Sequence, residues 1–365
     1  MDIAFHLFNI LKNNDFAIQV NRFGAVFTQV FPLLGSKLGW SLSSIMQFYS
    51  SGFIVYHFGI FVLSTLLSKS YKFGLAMLLF STLLMTYTYY WIQSELIQGI
   101  GFLILFFGLL YRFSTSKQLG QFWVFPIVSV MLLTLVFFHP LLVFPFLFLA
   151  IFFYWDATIN RDLLKGVTLT FVLFYGIKTL FFKTNYDSQS MEGLDNFWTY
   201  FPNYFAIPSN ADFLNYLVSD YQLFLLAFLL VVGCYIYQKR YLKLSFTLSF
   251  FFAYLLLINV SYPGVAEQFY IESLYLPLSF FLIFPLVFDH AHQLQKNHLW
   301  IGLSLVLVIR LAQIYAAHEP FTQRVEYMDA YRKKIETMPH QKLIFDESKI
   351  SKDTLLGIAK QRCRK

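Results

Sequence analysis

Long apolar runs recur along most of this sequence, and they constrain its fold more than any other feature. A helix needs roughly 20 apolar residues to cross the hydrocarbon of a bilayer, at about 1.5 Å per residue. We predict an all-α polytopic membrane protein with about ten transmembrane helices. The candidate spans, some of them short, are approximately Leu42–Leu67, Phe73–Trp91, Leu96–Tyr111, Gln121–Phe138, Leu141–Trp155, Gly166–Phe182, Tyr221–Gln238, Leu244–Val260, Ile271–Phe288 and Leu299–Ala317.

The composition excludes a water-soluble globular protein. Of the 365 residues, 58% are hydrophobic and only 13% are charged, whereas soluble domains carry near a quarter of charged residues. The net charge of +7 requires no nucleic-acid partner, because basic residues are expected on cytoplasmic loops. The two cysteines, Cys234 and Cys363, form no disulfide framework and no metal-ligand spacing. We therefore predict membrane lipid as a partner, and neither a metal nor a cofactor.

Basic residues are sorted to alternate connectors between the spans. The connectors after the first, third, fifth, seventh and ninth spans hold ten of them: Lys69, Lys72, Arg112, Lys117, Arg161, Lys165, Lys239, Arg240, Lys243 and Lys296. The intervening connectors hold only Lys183. Because lysine and arginine favour cytoplasmic loops, we predict a multi-pass protein of the plasma (inner) membrane whose functional face is non-cytoplasmic.

This orientation divides the chain into three regions. Residues 1–40 form a non-cytoplasmic amphipathic interfacial segment, and residues 41–317 form a multi-span membrane domain with a long outer loop at 183–220. Residues 318–365 form a small polar tail, in which apolar residues at helical spacing predict a helix and 341–345 a strand. An N-terminus outside the cell without a signal sequence leads us to expect that an upstream span has been lost.

The segment before the first span carries polar residues on one side of a helical wheel. Over Asp15–Phe31, four polar side chains fall within about 80° of one another, beside an apolar sector rich in phenylalanine: Asp15, Gln19, Arg22 and Gln29. This pattern predicts an interfacial helix that Pro32 and Gly35 terminate. It indicates either an amphipathic anchor without chemistry or the rim of a catalytic site.

Further polar residues fall in connectors predicted on the same side of the membrane. They are Glu95, His139, Glu267 and Glu272, together with the aromatic run FWTYF at 197–201. Two ionisable residues fall within spans, His57 and Arg310, at an insertion cost of about 2.5–3.5 kcal/mol each for a charged side chain. For His57 we favour a neutral ring bonded to a neighbouring helix over a proton carrier. Arg310, unless it snorkels, requires a buried carboxylate or a phosphate partner.

With its outer interfacial segment, the run NRFGAVFTQVFPLLGSKLGWSL and long aromatic outer loops, the chain resembles the type-C membrane glycosyltransferases over roughly residues 10–290. Their relatives include protein mannosyltransferases and the aminoarabinose transferases of lipid A. The resemblance implies transfer of a sugar from a polyprenyl-phosphate donor to an extracytoplasmic acceptor. It implies Asp15 as the general base and Arg22, with Lys37 or His139, beside the leaving polyprenyl phosphate.

Gln29, Glu95, His139, Glu267 and Glu272 complete the substrate-binding set that we predict. The family's acidic pair soon after a first span is missing, and Asp15 stands alone, so we expect an incomplete copy. Two other classes stay open, a secondary transporter with a polar cavity near His57 and Arg310, and a non-catalytic integral membrane component.

Overall fold

The structure, a computed structural model, describes residues 2–91, 94–115, 121–182, 184, 193–264, 268–291 and 296–336. All regular secondary structure within these ranges is helical, which confirms the all-α prediction. The α-helices are α1 Asp2–Asn13, α2 Val26–Lys37, α3 Leu42–Ser68, α4 Tyr71–Leu83, α5 Glu95–Thr115, α6 Gln121–Val136, α7 Val143–Asp156, α8 Arg161–Phe181, α9 Asn196–Tyr200, α10 Pro208–Ser219, α11 Gln222–Tyr237, α12 Tyr241–Ser261, α13 Gln268–Phe284, α14 Lys296–Ala316 and α15 Glu319–Glu336. A π-helical turn, Pro285–His290, extends α13.

Several helices are long and apolar enough to span a membrane, but the predicted count of about ten is not confirmed. Among the described residues six helices qualify, and a seventh qualifies if α10 and α11, bent by 95°, count as one span. Each of the ten predicted segments does contain a helix, but α4, α6 and α7 are shorter than a span. With 13 residues, α4 is only roughly 20 Å long, against a hydrocarbon core of about 30 Å.

Side-chain contacts gather the lysine- and arginine-bearing connectors at one end of the bundle, which we call the basic end. Lys243 lies 2.6 Å from Asp156, at the end of α7, and 2.9 Å from Asp289, at the end of the π-helical turn. Lys72 lies over the ring of Phe288. The basic connectors that alternate along the sequence are therefore brought together at one end of the bundle by these contacts.

The opposite end, which we call the aromatic end, carries the other connectors. Exposed rings crowd it, among them Trp198, Phe201 and Phe205 on the short helices between α8 and α10. The tail helix α15 also reaches this end, where Phe321 stacks on Tyr90 at 4.6 Å between ring centroids. The tail therefore packs against the membrane domain, as far as the structure describes it, and the strand predicted at 341–345 lies outside the described residues.

Two helices form the centre of the bundle. Within their most apolar windows, 78% of the residues of α5 and 89% of those of α13 with its π-helical turn are buried, against a third or less for the other candidate spans. Gly99 lets α5 approach its neighbours closely, since a Cβ there would lie 2.5 Å from a methyl group of Leu142. The remaining spans surround this pair and present apolar faces outward.

The N-terminal segment differs from the predicted interfacial helix over Asp15–Phe31. α1 ends at Asn13, an irregular stretch with a tight turn follows, and α2 begins only at Val26. Pro32 lies inside α2 and does not terminate it. The helix ends at Lys37, and Gly39, just beyond it, has a φ of +70°. The Gly39 and Trp40 N–H groups donate to the carbonyls of Ser36 and Gly35, which completes a Schellman motif.

Candidate functional site

The mouth of the aromatic end holds an ion pair between the N-terminal segment and a central helix. The Arg22 guanidinium lies 3.4 Å from the carboxylate of Glu95, with side chains 15% and 20% exposed. Glu95 occupies the first turn of α5, where the helix dipole favours a negative charge. The pair is therefore held in place but is still partly open to solvent.

His139 and Lys178 lie beside this pair. The Lys178 ammonium donates to the carbonyl of Val136 at 2.7 Å, capping the end of α6, and lies over the ring of Phe137. Burial lowers the pKa of His139 well below its usual value of 6.5, and the charges of Arg22 and Lys178 lower it further. His139 Nδ1 accepts from the Leu141 N–H, so the proton of its neutral ring sits on Nε2.

We call Arg22, Glu95, His139 and Lys178 the mouth cluster. It contains two cations, one carboxylate and one neutral imidazole, so its net charge is +1 at neutral pH. Lys178 was not among the predicted site residues, yet only 7% of it is exposed. Lys178 lies on α8 and His139 lies just after α6. Their proximity depends on how these two helices pack, and the local sequence does not show it.

The irregular stretch that carries Arg22 is fixed by buried polar contacts. Gln29, which is fully buried on α2, accepts from the Ala17 N–H at 2.8 Å and donates to the Ala17 carbonyl at 3.0 Å. His6 contacts the same carbonyl at 3.0 Å. Gln29 thus binds the protein's own backbone through both amide atoms, and Asp15 is left as an exposed carboxylate that accepts from the Phe16 N–H.

A tight turn precedes Arg22 and sets its direction. Val20 and Asn21 have φ values of +49° and +58°, and the Arg22 N–H donates to the Gln19 carbonyl at 2.9 Å. Positive φ at both central residues is the geometry of a type I′ turn. Asparagine tolerates it, but a β-branched valine there is strained. The backbone at the mouth cluster is therefore held in a conformation that its own sequence disfavours.

A second polar cluster at the aromatic end is fully buried. The Glu272 carboxylate accepts from the backbone N–H groups of Thr86, Tyr87 and Thr88, from the Thr88 hydroxyl, and from the Tyr221 hydroxyl at 3.1 Å. These donors surround both carboxylate oxygens. Glu272 therefore holds the chain that follows α4 in a non-helical conformation.

Arg310 acts on the same chain from the other side. Its guanidinium donates to the carbonyls of Thr82 and Leu83, the last residues of α4, and to the Thr86 hydroxyl. A cation at a helix C-terminus is stabilised by the helix dipole. We call Glu272, Arg310, Thr86, Thr88 and Tyr221 the buried clamp. The guanidinium of Arg310 is therefore satisfied by the carbonyl end of α4, with the Glu272 carboxylate on the far side of Thr86. It needs no phosphate partner.

The buried clamp adjoins the 95° bend between α10 and α11. Tyr221 lies at the bend itself, and its neighbour Asp220 accepts from the Gln268 amide at 3.1 Å. Gln268 is the first residue of α13 and was not among the predicted site residues. The predicted site residue Glu267 lies outside the described residues.

His57 lies in the middle of α3 and bonds to its own helix. Its Nδ1 donates to the Phe53 carbonyl at 2.8 Å, and its ring meets that of Tyr56 edge to face. Among the described residues its Nε2 has no hydrogen-bond partner. The expected bond from this ring to a neighbouring helix is therefore not seen in the described part of the chain.

The two clusters suit different chemistry. The buried clamp has its carboxylate and guanidinium occupied by the protein's own backbone. The mouth cluster holds a positive charge, a neutral imidazole donor and a partly exposed carboxylate at one end of a bundle with membrane-spanning helices, so it can bind an anion. No group of three or more His, Cys, Asp or Glu side chains that could hold a metal occurs among the described residues. Comparisons with protein-family models, with curated proteins and with solved structures found no match to this chain.

Proposed function

We propose that this protein is a membrane glycosyltransferase that moves a sugar from a polyprenyl-phosphate donor to an acceptor on the non-cytoplasmic side. One observation carries the proposal: at the end of the bundle a partly exposed Arg22–Glu95 ion pair lies near the buried Lys178 ammonium and the neutral His139 ring. A phosphate that stays attached to a membrane lipid would reach this end of the bundle from the bilayer. The connectors that carry the alternating lysine and arginine residues lie at the opposite end of the bundle, which supports the orientation.

In the reaction we assign, the oxygen of an acceptor hydroxyl forms a bond to C1 of the sugar while the bond from C1 to the phosphate oxygen breaks. The hydroxyl proton passes to the Asp15 carboxylate, and polyprenyl phosphate leaves with the bonding electrons. Arg22 offsets the charge of the departing phosphate, because a planar guanidinium fits two phosphate oxygens. His139 donates its Nε2 proton as a hydrogen bond, and Glu95 positions Arg22.

The test uses the full chain in liposomes, supplied separately with polyprenyl phosphates that carry radiolabelled glucose, mannose or galactose. Release of free polyprenyl phosphate in the presence of envelope glycans is the readout. With Asp15→Asn we expect a loss of about 10²–10⁴-fold, the usual range for a general base. With Arg22→Gln, release should fall by a comparable factor, and with Glu95→Gln by less, since Arg22 is retained.

Asp212→Asn and Lys12→Gln are the matched controls, since each removes an exposed charge outside the mouth cluster. Both should keep the rate of the unaltered protein. The proposal is wrong if no donor is consumed, or if Asp15→Asn and Arg22→Gln both react at the unaltered rate.

A second candidate, a secondary transporter, is favoured by the bent pair α10 and α11. Broken helices with a buried ionisable group at the break are typical of transporters, and here Tyr221 and Glu272 meet at the bend. A transporter predicts that sealed vesicles accumulate a solute against its gradient and that Glu272→Gln abolishes uptake while the protein stays folded. A transferase predicts sugar transfer in open membrane sheets, where no gradient can exist.

A further inference from the structure

A groove runs along the outer surface of the bundle between α7 and α8, near the basic end. Its volume is about 410 Å³, and its walls are formed mainly by Leu147, Ala150, Ile151, Leu164, Leu169 and Val172. Leu169 and Val172 are exposed, at 72% and 53%, so the groove opens away from the bundle. In a membrane-spanning bundle such a surface faces acyl chains.

One end of this groove is cationic. The Arg161 guanidinium lies 5.2 Å from the centre of the Tyr154 ring, and the Lys165 ammonium lies 5.9 Å from it. Arg161 also donates to the Tyr154 carbonyl at 3.2 Å, which fixes its position. Among the described residues Lys165 has one anionic partner, Asp162, at 3.5 Å, and both side chains are mostly exposed, so this ion pair contributes little. Arg161, Lys165 and Asp162 together leave a net charge of +1 at the cationic end of the groove.

The dimensions of the groove match one leaflet of a bilayer. From Leu164 to Val172, α8 advances by roughly 12 Å, close to half of the 30 Å hydrocarbon core. The cationic end lies beside Tyr154 and Trp155, and residues of these two types concentrate at the level of lipid headgroups. The apolar wall thus begins at headgroup depth and runs toward the bilayer centre.

We propose that this groove, the α7/α8 groove, binds one diacyl phospholipid with an anionic headgroup. An acyl chain lies along the apolar wall, and the headgroup phosphate contacts Arg161 and Lys165. The positive charge at the cationic end of the groove favours an anionic over a zwitterionic headgroup. The apolar wall starts at the basic end and is about one leaflet long, so it favours a lipid of the leaflet at that end. The site is independent of the proposed sugar transfer, which takes place at the opposite end.

The test is native mass spectrometry of the full chain in detergent, titrated with dipalmitoyl phosphatidylglycerol or with dipalmitoyl phosphatidylcholine. We expect one tightly bound phosphatidylglycerol and weaker binding of phosphatidylcholine. A basic side chain near an anionic lipid surface contributes roughly a fivefold factor in affinity. Arg161→Gln/Lys165→Gln should therefore weaken phosphatidylglycerol about 25-fold, and Lys165→Gln alone, which leaves the Tyr154 contact of Arg161 intact, about fivefold.

Three further measurements separate a built site from general attraction. Lys69→Gln/Lys239→Gln removes two exposed cations of the basic end outside the groove and should change phosphatidylglycerol binding less than twofold. Thr168→Phe fills the groove and should weaken both lipids. The proposal is overturned if the control variant loses as much as Arg161→Gln/Lys165→Gln, or if polyprenyl phosphate displaces phosphatidylglycerol from the unaltered protein at equal concentration.

Discussion

The two polar clusters of the aromatic end contrast in burial and in the use of their charges. In the buried clamp, Glu272 is fully buried and Arg310 is 1% exposed, and their polar atoms contact backbone groups and hydroxyls. In the mouth cluster, Arg22 and Glu95 contact each other at 3.4 Å and keep part of their surface open. Individual members of both clusters were selected in the sequence on the same kind of evidence, an ionisable residue in or beside an apolar segment.

The contrast teaches that an ionisable residue near a membrane span can be needed for architecture alone. An unpaired charge in hydrocarbon is costly, but a helix end and a run of free N–H groups are themselves charged environments. Arg310 and Glu272 satisfy such groups where α4 ends early. Functional assignment should therefore begin with those charges that the backbone leaves accessible.

The largest expected effect is the loss of the Glu272 carboxylate. Glu272→Ala leaves three backbone N–H groups without an acceptor and leaves Arg310 without its counter-charge. Breaking a buried charged contact in this way costs about 3–5 kcal/mol. We expect a corresponding drop in the unfolding free energy, measured by denaturation in mixed micelles. Glu95→Gln, at the partly exposed pair, should cost less than about 1 kcal/mol. Equal losses for the two variants would remove the distinction between the clusters.

The next largest effect concerns Arg310. Arg310→Gln removes the fork that bonds the carbonyls of Thr82 and Leu83, and hydrogen bonds to charged groups contribute about 1.5–3 kcal/mol each. Because the glutamine amide can still donate one of these bonds, we expect the net loss of one, about 1.5–3 kcal/mol, in the same denaturation measurement. Arg310→Lys should recover only part of it, because an ammonium cannot reproduce the planar fork.

A double-mutant cycle tests whether the two halves of the buried clamp act together. Thr86 links them, since its N–H donates to Glu272 and its hydroxyl accepts from Arg310. Combining Arg310→Gln with Glu272→Gln should therefore destabilise by at least 0.5 kcal/mol less than the sum of the single variants. Strict additivity would show that Arg310 and Glu272 act independently.

The buried clamp also shows where the sequence was informative and where it was not. The apolar runs predicted a helix in each of the ten segments, because hydropathy is a local property. The predicted second span, Phe73–Trp91, was too long, because the apolar residues 84–91 resemble a span. The helix stops at Leu83. Beyond it the backbone is held in another conformation by Glu272 and Arg310, which follow Leu83 by nearly 200 residues or more.

The mouth cluster was likewise only partly predictable from the sequence. From the sequence we expected Arg22, Glu95 and His139 to converge with Asp15 and Glu267, since all of them fall on one predicted side. The structure shows the proximity of the first three. It did not identify Lys178, and it predicted a helix where the structure has a turn at Val20–Asn21. Contacts made by Gln29, from the following helix, determine that turn, and no local pattern contains them.

A pH titration tests the position of His139. Its folded-state pKa is lowered, so the native protein binds fewer protons than the unfolded chain below about pH 6.5. Stability should therefore fall as the pH drops from about 6.5, by at most about 1.4 kcal/mol per pH unit, until the folded-state pKa is reached.

His139→Gln should flatten this part of the pH profile of the unfolding free energy. As a control, His298→Gln removes an exposed histidine on α14 and should leave the profile unchanged. An unaltered slope in His139→Gln would contradict the burial of this ring near the charges of Arg22 and Lys178.

The smallest expected effect reports on the strained turn that precedes Arg22. A left-handed conformation costs an L-residue roughly 1–2 kcal/mol, and glycine removes this penalty while adding about 0.5–1 kcal/mol of unfolded-state entropy. Val20→Gly should therefore stabilise the protein by about 0.5–1 kcal/mol, measured by denaturation in mixed micelles. Asn21→Gly is the matched control, with an expected change near zero because asparagine already tolerates this conformation. If both variants stabilise equally, the strain is not located at Val20. If Val20→Gly stabilises the fold and also weakens donor release, the strain at Val20 holds Arg22 in its working position. The buried clamp has no residue with a positive φ, so its geometry does not depend on such strain.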